Sequence, residues 1–166
     1  EGPPAVGNRL YAAHKVDPWW SSTINIEYEA AHGMREKDGR AKGYTICATK
    51  TIKADPQRCF EAFASAAALD RWLGPGHQLD LRDGGSLANA DGNRAAVKKV
   101  NPGKAIKLGW QQPGAGEDTP VEVKFQPAGA KTTVMITHDR LQTRAEADGF
   151  RRAWGAALDR LKAQIE

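Results

Sequence analysis

With 166 residues and a mass of 18.0 kDa, the chain fits one domain of the usual roughly 100–200 residues plus a short appendage. Hydrophobic residues at 40% and charged residues at 27% exclude the disordered class, and no apolar run approaches the roughly 20 residues of a membrane-spanning helix, so no membrane insertion is expected. The net charge of +4 divides into six basic against six acidic residues over 1–43 and eighteen against fourteen over 44–166, so neither part is a basic polymer suited to nucleic acid.

Residues 1–20, with Pro3, Pro4, Gly7 and Asp17-Pro18, show no periodicity and read as an extended arm in which no secretion signal is legible. Over 21–32, Ile24, Tyr28 and Ala31, with Trp20 ahead of them, recur at the spacing of one helix face, and Gly33 is the stop. The polar segment 33–43 carries three glycines and reads as a loop into the main domain, which places the boundary between an arm at 1–43 and a domain at 44–166. Trp19 and Trp20 are candidates to anchor the arm on that domain, or to join a second copy or a protein partner together with the 21–32 helix.

From 44 to 52, Tyr44, Ile46, Ala48 and Ile52 alternate with Thr45, Cys47, Thr49 and Thr51, the period of a strand. Asp55-Pro56 then supplies an N-cap oxygen and a proline for the first helical turn. Cys59, Phe60, Phe63 and Ala67 mark the buried stripe of the helix that follows, and Leu69, Trp72 and Leu73 continue into a second helical piece closed by Gly74-Pro75-Gly76. Six period-two segments succeed one another between 77 and 141, separated by turn signals such as Asp83-Gly84-Gly85 and Asn101-Pro102-Gly103, which predicts an antiparallel meander. Phe150, Trp154, Leu158, Leu161 and Ile165 stand at spacings of 4, 4, 3 and 4, a long amphipathic helix able to cover the apolar face of that sheet.

This order predicts an α+β fold in which a curved seven-stranded antiparallel sheet wraps around the C-terminal helix, leaving space between the two as the candidate ligand site. Strand parity turns Ile106, Leu108, Trp110, Val123, Phe125, Val134 and Ile136 toward the interior that Phe150, Trp154 and Leu158 enter from the helix, with Trp72 and Leu73 at the entrance. His138 shares that parity and is the best acid or base candidate, though no Ser, Cys or carboxylate is tied to it by a motif. Arg71 and Arg140 are rim candidates for a carboxylate or phosphate, with surface pairing to Asp70 or Asp139 as the plainer reading. The cluster Arg94, Lys98, Lys99, Lys104 and Lys107 has no interleaved aromatics and reads as a solvated strand surface rather than a nucleic-acid site. Two cysteines and four scattered histidines show no metal spacing, and no glycine-rich loop has a phosphate-binding arrangement, so no metal or cofactor is expected and the compartment is a reducing, cytoplasmic one.

The stretch Asp55-Pro56-Gln57-Arg58-Cys59-Phe60-Glu61-Ala62-Phe63 with Leu69-Asp70-Arg71-Trp72-Leu73-Gly74 resembles the opening helix pair of the START-like, helix-grip (Bet v 1-like, SRPBCC) superfamily, in its branch homologous to activators of the heat-shock-protein-90 ATPase. Leu108-Gly109-Trp110, Val121-Glu122-Val123-Lys124-Phe125, the run from Lys131 to His138, and Trp154 with Leu158 to Leu161 carry the resemblance through 44–166. The 32–44 stretch HGMREKDGRAKGY is similar to a short helical domain seen beside such domains in bacteria. The resemblance implies the helix-grip fold and a cavity for a hydrophobic or amphipathic small molecule beneath the long helix. It also implies a protein that binds rather than one that catalyses, with a cyclase or hydrolase and a co-chaperone-like interaction module as the alternatives. Chaperone activation is discounted, because residues 1–43 do not resemble the extra N-terminal domain that accompanies that role.

Overall fold

A computed structural model describes residues 18–166, without the side chains at positions 18, 19, 21 and 22; residues 1–17 and the Trp19 side chain therefore lie outside the described residues. Helix α1 spans Pro18–Ala31, followed by β1 (Tyr44–Ile52), α2 (Pro56–Glu61) and α3 (Ala66–Asp70). The strands β2 (Gln78–Leu79), β3 (Ser86–Ala88), β4 (Arg94–Asn101), β5 (Ala105–Gln111), β6 (Thr119–Ala128) and β7 (Lys131–Leu141) lead to α4 (Arg144–Ile165). The expected α+β helix-grip architecture is the one observed: a curved seven-stranded sheet in the order β1-β7-β6-β5-β4-β3-β2, antiparallel at every pairing, with α4 against it.

Alternation along the strands decides which side chains enter the interior. Val121, Val123 and Phe125 of β6 are buried beside Val134, Ile136 and His138 of β7, while the residues between them face outward. On that outer face the lysines of the basic cluster meet carboxylates, Lys98 with Asp118, Lys99 with Asp83 and Lys107 with Glu122. Helix α4 returns Trp154, Ala157, Leu158 and Leu161 to the same interior. Its first turn is held by Thr143 Oγ1, which accepts from the Glu146 N–H, while Glu146 Oε2 accepts from the Gln142 N–H. Its last turn is clasped to the end of β1, since Glu166 Oε1 accepts from the Lys53 N–H and Lys162 Nζ donates to the Thr51 carbonyl.

Asp55 caps α2 by accepting from the Arg58 N–H at 2.8 Å, and Ser65 caps α3 by accepting from the Ala68 N–H at 3.1 Å. The break between these helices moves one position of the expected stripe. Ala67 is exposed and Ala62 is buried in its place, because the helical phase is lost after Glu61 and restarts at Ser65.

The arm helix begins at Pro18, three residues before the expected start, and its expected apolar face points outward. Trp20, Ile24 and Tyr28 are 46%, 43% and 52% exposed. Thr23, Ile26 and Glu29 are turned inward instead. Polar tethers explain the rotation: Tyr44 donates its hydroxyl to Glu27 at 2.5 Å, and Lys42 pairs with Glu29 at 2.9 Å. Burial, with the Glu27 carboxylate beside it, pushes the Tyr44 phenol up to about 12, so it stays a donor at neutral pH. Segment 33–43 folds into a hairpin-like turn through an Arg35–Ala41 bridge and is fixed by Arg40 to Asp118 and by Asp38 to Arg140.

Candidate functional site

Where α3, the inner face of the sheet from β2 to β6 and α4 meet, an apolar cavity of about 30 Å³ remains, room for two or three water-sized molecules at roughly 10–15 Å³ each. Its thirteen lining side chains are all leucine, isoleucine, valine, phenylalanine or tryptophan. Trp72 and Leu73 enter from the end of α3, Ile106, Leu108, Trp110 and Val123 from the sheet, and Trp154 from α4, so seven of the expected residues come together here. Phe125, Val134, Ile136, Phe150, Leu158 and His138 do not line it. Phe125 packs edge-on against Phe60 and Phe63 with centroids 5.8 and 5.3 Å apart, Ile136 and Leu158 are wholly buried in the core, and Phe150 lies against the His138 ring at 4.3 Å. Leu79 and Leu81, around the two-residue strand β2, were not anticipated as lining, because so short a strand carries almost no alternation to read.

Leu73, Leu79, Leu81 and Leu108 are half-buried, which locates the side on which the cavity approaches solvent. That side belongs to the least-paired edge of the sheet: β2 meets β3 through two residue pairs alone. The end of α3 is tied in place. Trp72 donates its indole N–H to the Ala62 carbonyl at 2.9 Å, and Arg160 of α4 donates to the Trp72 carbonyl at 2.7 Å.

Next to Trp154 the histidine candidate is embedded in a directed chain. Trp154 Nε1, a donor by its chemistry, bonds to His138 Nδ1 at 3.2 Å, which leaves the ring proton on Nε2. Nε2 then donates to Thr119 Oγ1 at 2.7 Å, and that hydroxyl donates to the Trp110 carbonyl at 3.2 Å. Burial lowers the His138 pKa from 6.5 to about 4, so the ring is neutral at physiological pH with both nitrogens engaged. Thr119, the first residue of β6, was missed by sequence reasoning because it follows the polar stretch from Gln112, in which Pro113, Gly114, Gly116 and Pro120 mark no strand alternation. The ladder alone, pairing Trp110 with Thr119 and Val121 with His138, brings it beside the ring.

The remaining candidates lie away from the cavity. Arg140 pairs with Asp38 rather than Asp139, from a left-handed backbone position (φ 60°) at the β1–β7 bulge, and Asp139 accepts from Thr45 Oγ1. Asp70 meets His77, not Arg71: its Oδ1 accepts from both the His77 backbone N–H and Nδ1, which holds the carboxyl below its ordinary range. Cys59 is buried and its thiol is pushed up by that burial, opposite to what a nucleophile needs, whereas Cys47 is exposed.

A family model described as activator of Hsp90 ATPase homolog 1-like protein matches residues 53–166. No curated protein matches the chain. Among solved structures, an HSP90 activator from Plasmodium falciparum is 18% identical with a TM-score of 0.68, over 74% of this chain and 96% of that one. The Aha1 dimer from Colwellia psychrerythraea is 20% identical with a TM-score of 0.67 and the same coverage. CalU16 from Micromonospora echinospora is 21% identical with a TM-score of 0.66, over 74% of this chain and 76% of that one. At these identities the likeness is one of fold.

Proposed function

This chain belongs to the activator of Hsp90 ATPase homolog 1-like family, and on that premise we propose that it is a binding protein for a hydrophobic or amphipathic small molecule, held between sheet and α4. The observation that supports this reading is the wholly apolar cavity at which α3, sheet and α4 converge, reached from the half-buried side of Leu73, Leu79 and Leu81. At about 30 Å³ it is in a closed form, far under the roughly 300–1,000 Å³ of an occupied small-molecule site, so entry requires the β2 edge to yield. We take 44–166 as the ligand-binding unit, 1–43 as its arm, and the two unpaired cysteines as the mark of a reducing, cytoplasmic setting.

His138 is read here as a structural ring rather than an acid or base, since a neutral imidazole with both nitrogens occupied has no lone pair or proton to offer a substrate. This is why binding is preferred to a cyclase or hydrolase reaction. A panel of lipids and aromatic metabolites tests the reading. A ligand present at a hundred times its Kd adds about 2.7 kcal/mol, a melting-temperature rise of roughly 5–10 °C for a chain of this size, with a one-to-one adduct in native mass spectrometry. If no compound moves the melting temperature and no adduct forms, the reading fails.

A second reading rests on the outward row of Trp20, Ile24 and Tyr28 beside the exposed Met34, an apolar stripe on α1 suited to a second copy of the chain or a protein partner. It is not bare throughout, because the Arg144 guanidinium lies over the Trp20 ring at 4.5 Å. Comparison of the full chain with an Ile24→Glu, Tyr28→Glu variant by light scattering tests self-association. An unchanged mass at all concentrations removes it.

A further inference from the structure

Three tryptophans line the cavity, and each brings an indole N–H out of water. Trp72 gives its proton to the Ala62 carbonyl and Trp154 gives its own to His138 Nδ1. Trp110 gives its proton to nothing: Nε1 is buried and has no partner among the described residues, although the ring is packed edge-on against Trp154 at 5.3 Å. Native interiors rarely leave such a donor unpaired, since the hydrogen bond it had to water is forfeited without replacement. Among the described residues, the two other buried side-chain polar atoms without a partner, His77 Nε2 and Gln164 Oε1, belong to residues outside the cavity lining.

The lining decides what can answer Trp110. Its side chains are hydrocarbon and indole, so the cavity contains no side-chain acceptor for a ligand hydroxyl or amide proton, and no counter-charge for a carboxylate or ammonium group. We infer that the ligand of this site is an uncharged, largely apolar molecule carrying a hydrogen-bond acceptor, a ketone, aldehyde or ester carbonyl, that receives the Trp110 Nε1 proton. This rests on the ligand-binding reading above and narrows it from any hydrophobe to one chemical class. Selectivity follows from asymmetry: a hydrocarbon of the same shape leaves Trp110 unpaired, while a carbonyl pairs it.

Matched ligands, 2-heptanone and heptane, test the assignment on the full chain. Amide and indole NMR resolves the five tryptophans, and the Trp110 indole signal is identified by its absence from the Trp110→Phe variant. Expected are a downfield displacement of the Trp110 indole proton on titration with the ketone and a ratio of ketone to heptane affinity that falls at least tenfold in Trp110→Phe. A ratio of the two affinities unchanged in Trp110→Phe, or saturation without movement of the Trp110 signal, would overturn the assignment and leave the cavity reading standing. A long-lived water already seated on the indole and retained with the ketone bound overturns it in the same way. Failure of both ligands to bind, in the wild-type chain and in Trp110→Phe, removes the cavity reading and the assignment with it.

Discussion

Between pH 7 and pH 5 the protein is expected to lose about 2 kcal/mol of unfolding free energy, an amount that follows from the displaced titration of His138 alone. In the folded chain the ring stays neutral down to about pH 4, because charging it would place an imidazolium among Phe150, Trp154 and the β6–β7 core with no anion beside it. Once unfolded, the same ring takes up its proton near its ordinary value of 6.5. Within that window the unfolded state binds more protons, so stability rises with pH: the contribution is present above about 6.5 and disappears as the pH falls toward 4. The lowered carboxyls of Asp70, Asp83 and Glu166 act beneath their ordinary values of 3.8 to 4.5 and hardly enter this window. Urea unfolding at pH 5, 6 and 7 measures the slope, and His138→Gln, which keeps a donor and an acceptor but does not titrate, is expected to flatten it. A variant with the wild-type slope would show that the dependence comes from elsewhere.

Trp154→Ala is expected to cost about 3–5 kcal/mol, the range of large aromatic truncations in packed cores. Trp154 joins three parts of the structure: it lies edge-on to Trp110 of β5, donates to His138 of β7, and lines the cavity from α4. Trp154→Phe keeps most of the packing but leaves His138 Nδ1 without its donor, and about 1–3 kcal/mol is expected for that loss. Arg152→Ala, on the exposed side of the same helix, is expected to stay within about 0.5 kcal/mol. Urea midpoints for the three variants check the series, and equal costs for Trp154→Ala and Arg152→Ala would mean that α4 does not pack on the sheet.

The fold was legible because each of its devices is local. The alternation of Tyr44 to Ile52, the Asp55-Pro56 cap, and the 4, 4, 3, 4 spacing from Phe150 to Ile165 each reflect one element's own periodicity. Burial parity in β6 and β7 followed from the same rule. The site was half legible. Parity marks Phe125, Ile136 and Trp110 alike as inward, but whether an inward side chain fills the core or lines a void depends on what the opposing element places against it. Phe60 and Phe63 of the short helical region fill the space before Phe125, whereas before Trp110 the edge-on packing of Trp154 leaves a small void.

The arm shows the opposite failure. Its apolar spacing was real, yet two polar tethers, Glu27 to Tyr44 and Glu29 to Lys42, outweigh that spacing and turn the stripe to solvent. Glutamates at those positions look like ordinary surface residues, and no periodicity announces partners 17 and 13 residues away. Likewise, three tryptophans are indistinguishable in sequence, and the distance from each indole to the nearest carbonyl or imidazole alone separates Trp110 from Trp72 and Trp154.

Calorimetric titration of 2-heptanone into the wild-type chain and into Leu108→Phe tests the cavity most directly, since the larger ring occupies the vacant volume from a half-buried lining position. Saturable one-site binding to the wild type, weakened at least tenfold in a variant that unfolds at the same urea concentration, is the predicted result. Equal affinity for both proteins, or no heat of binding to either, would contradict the account.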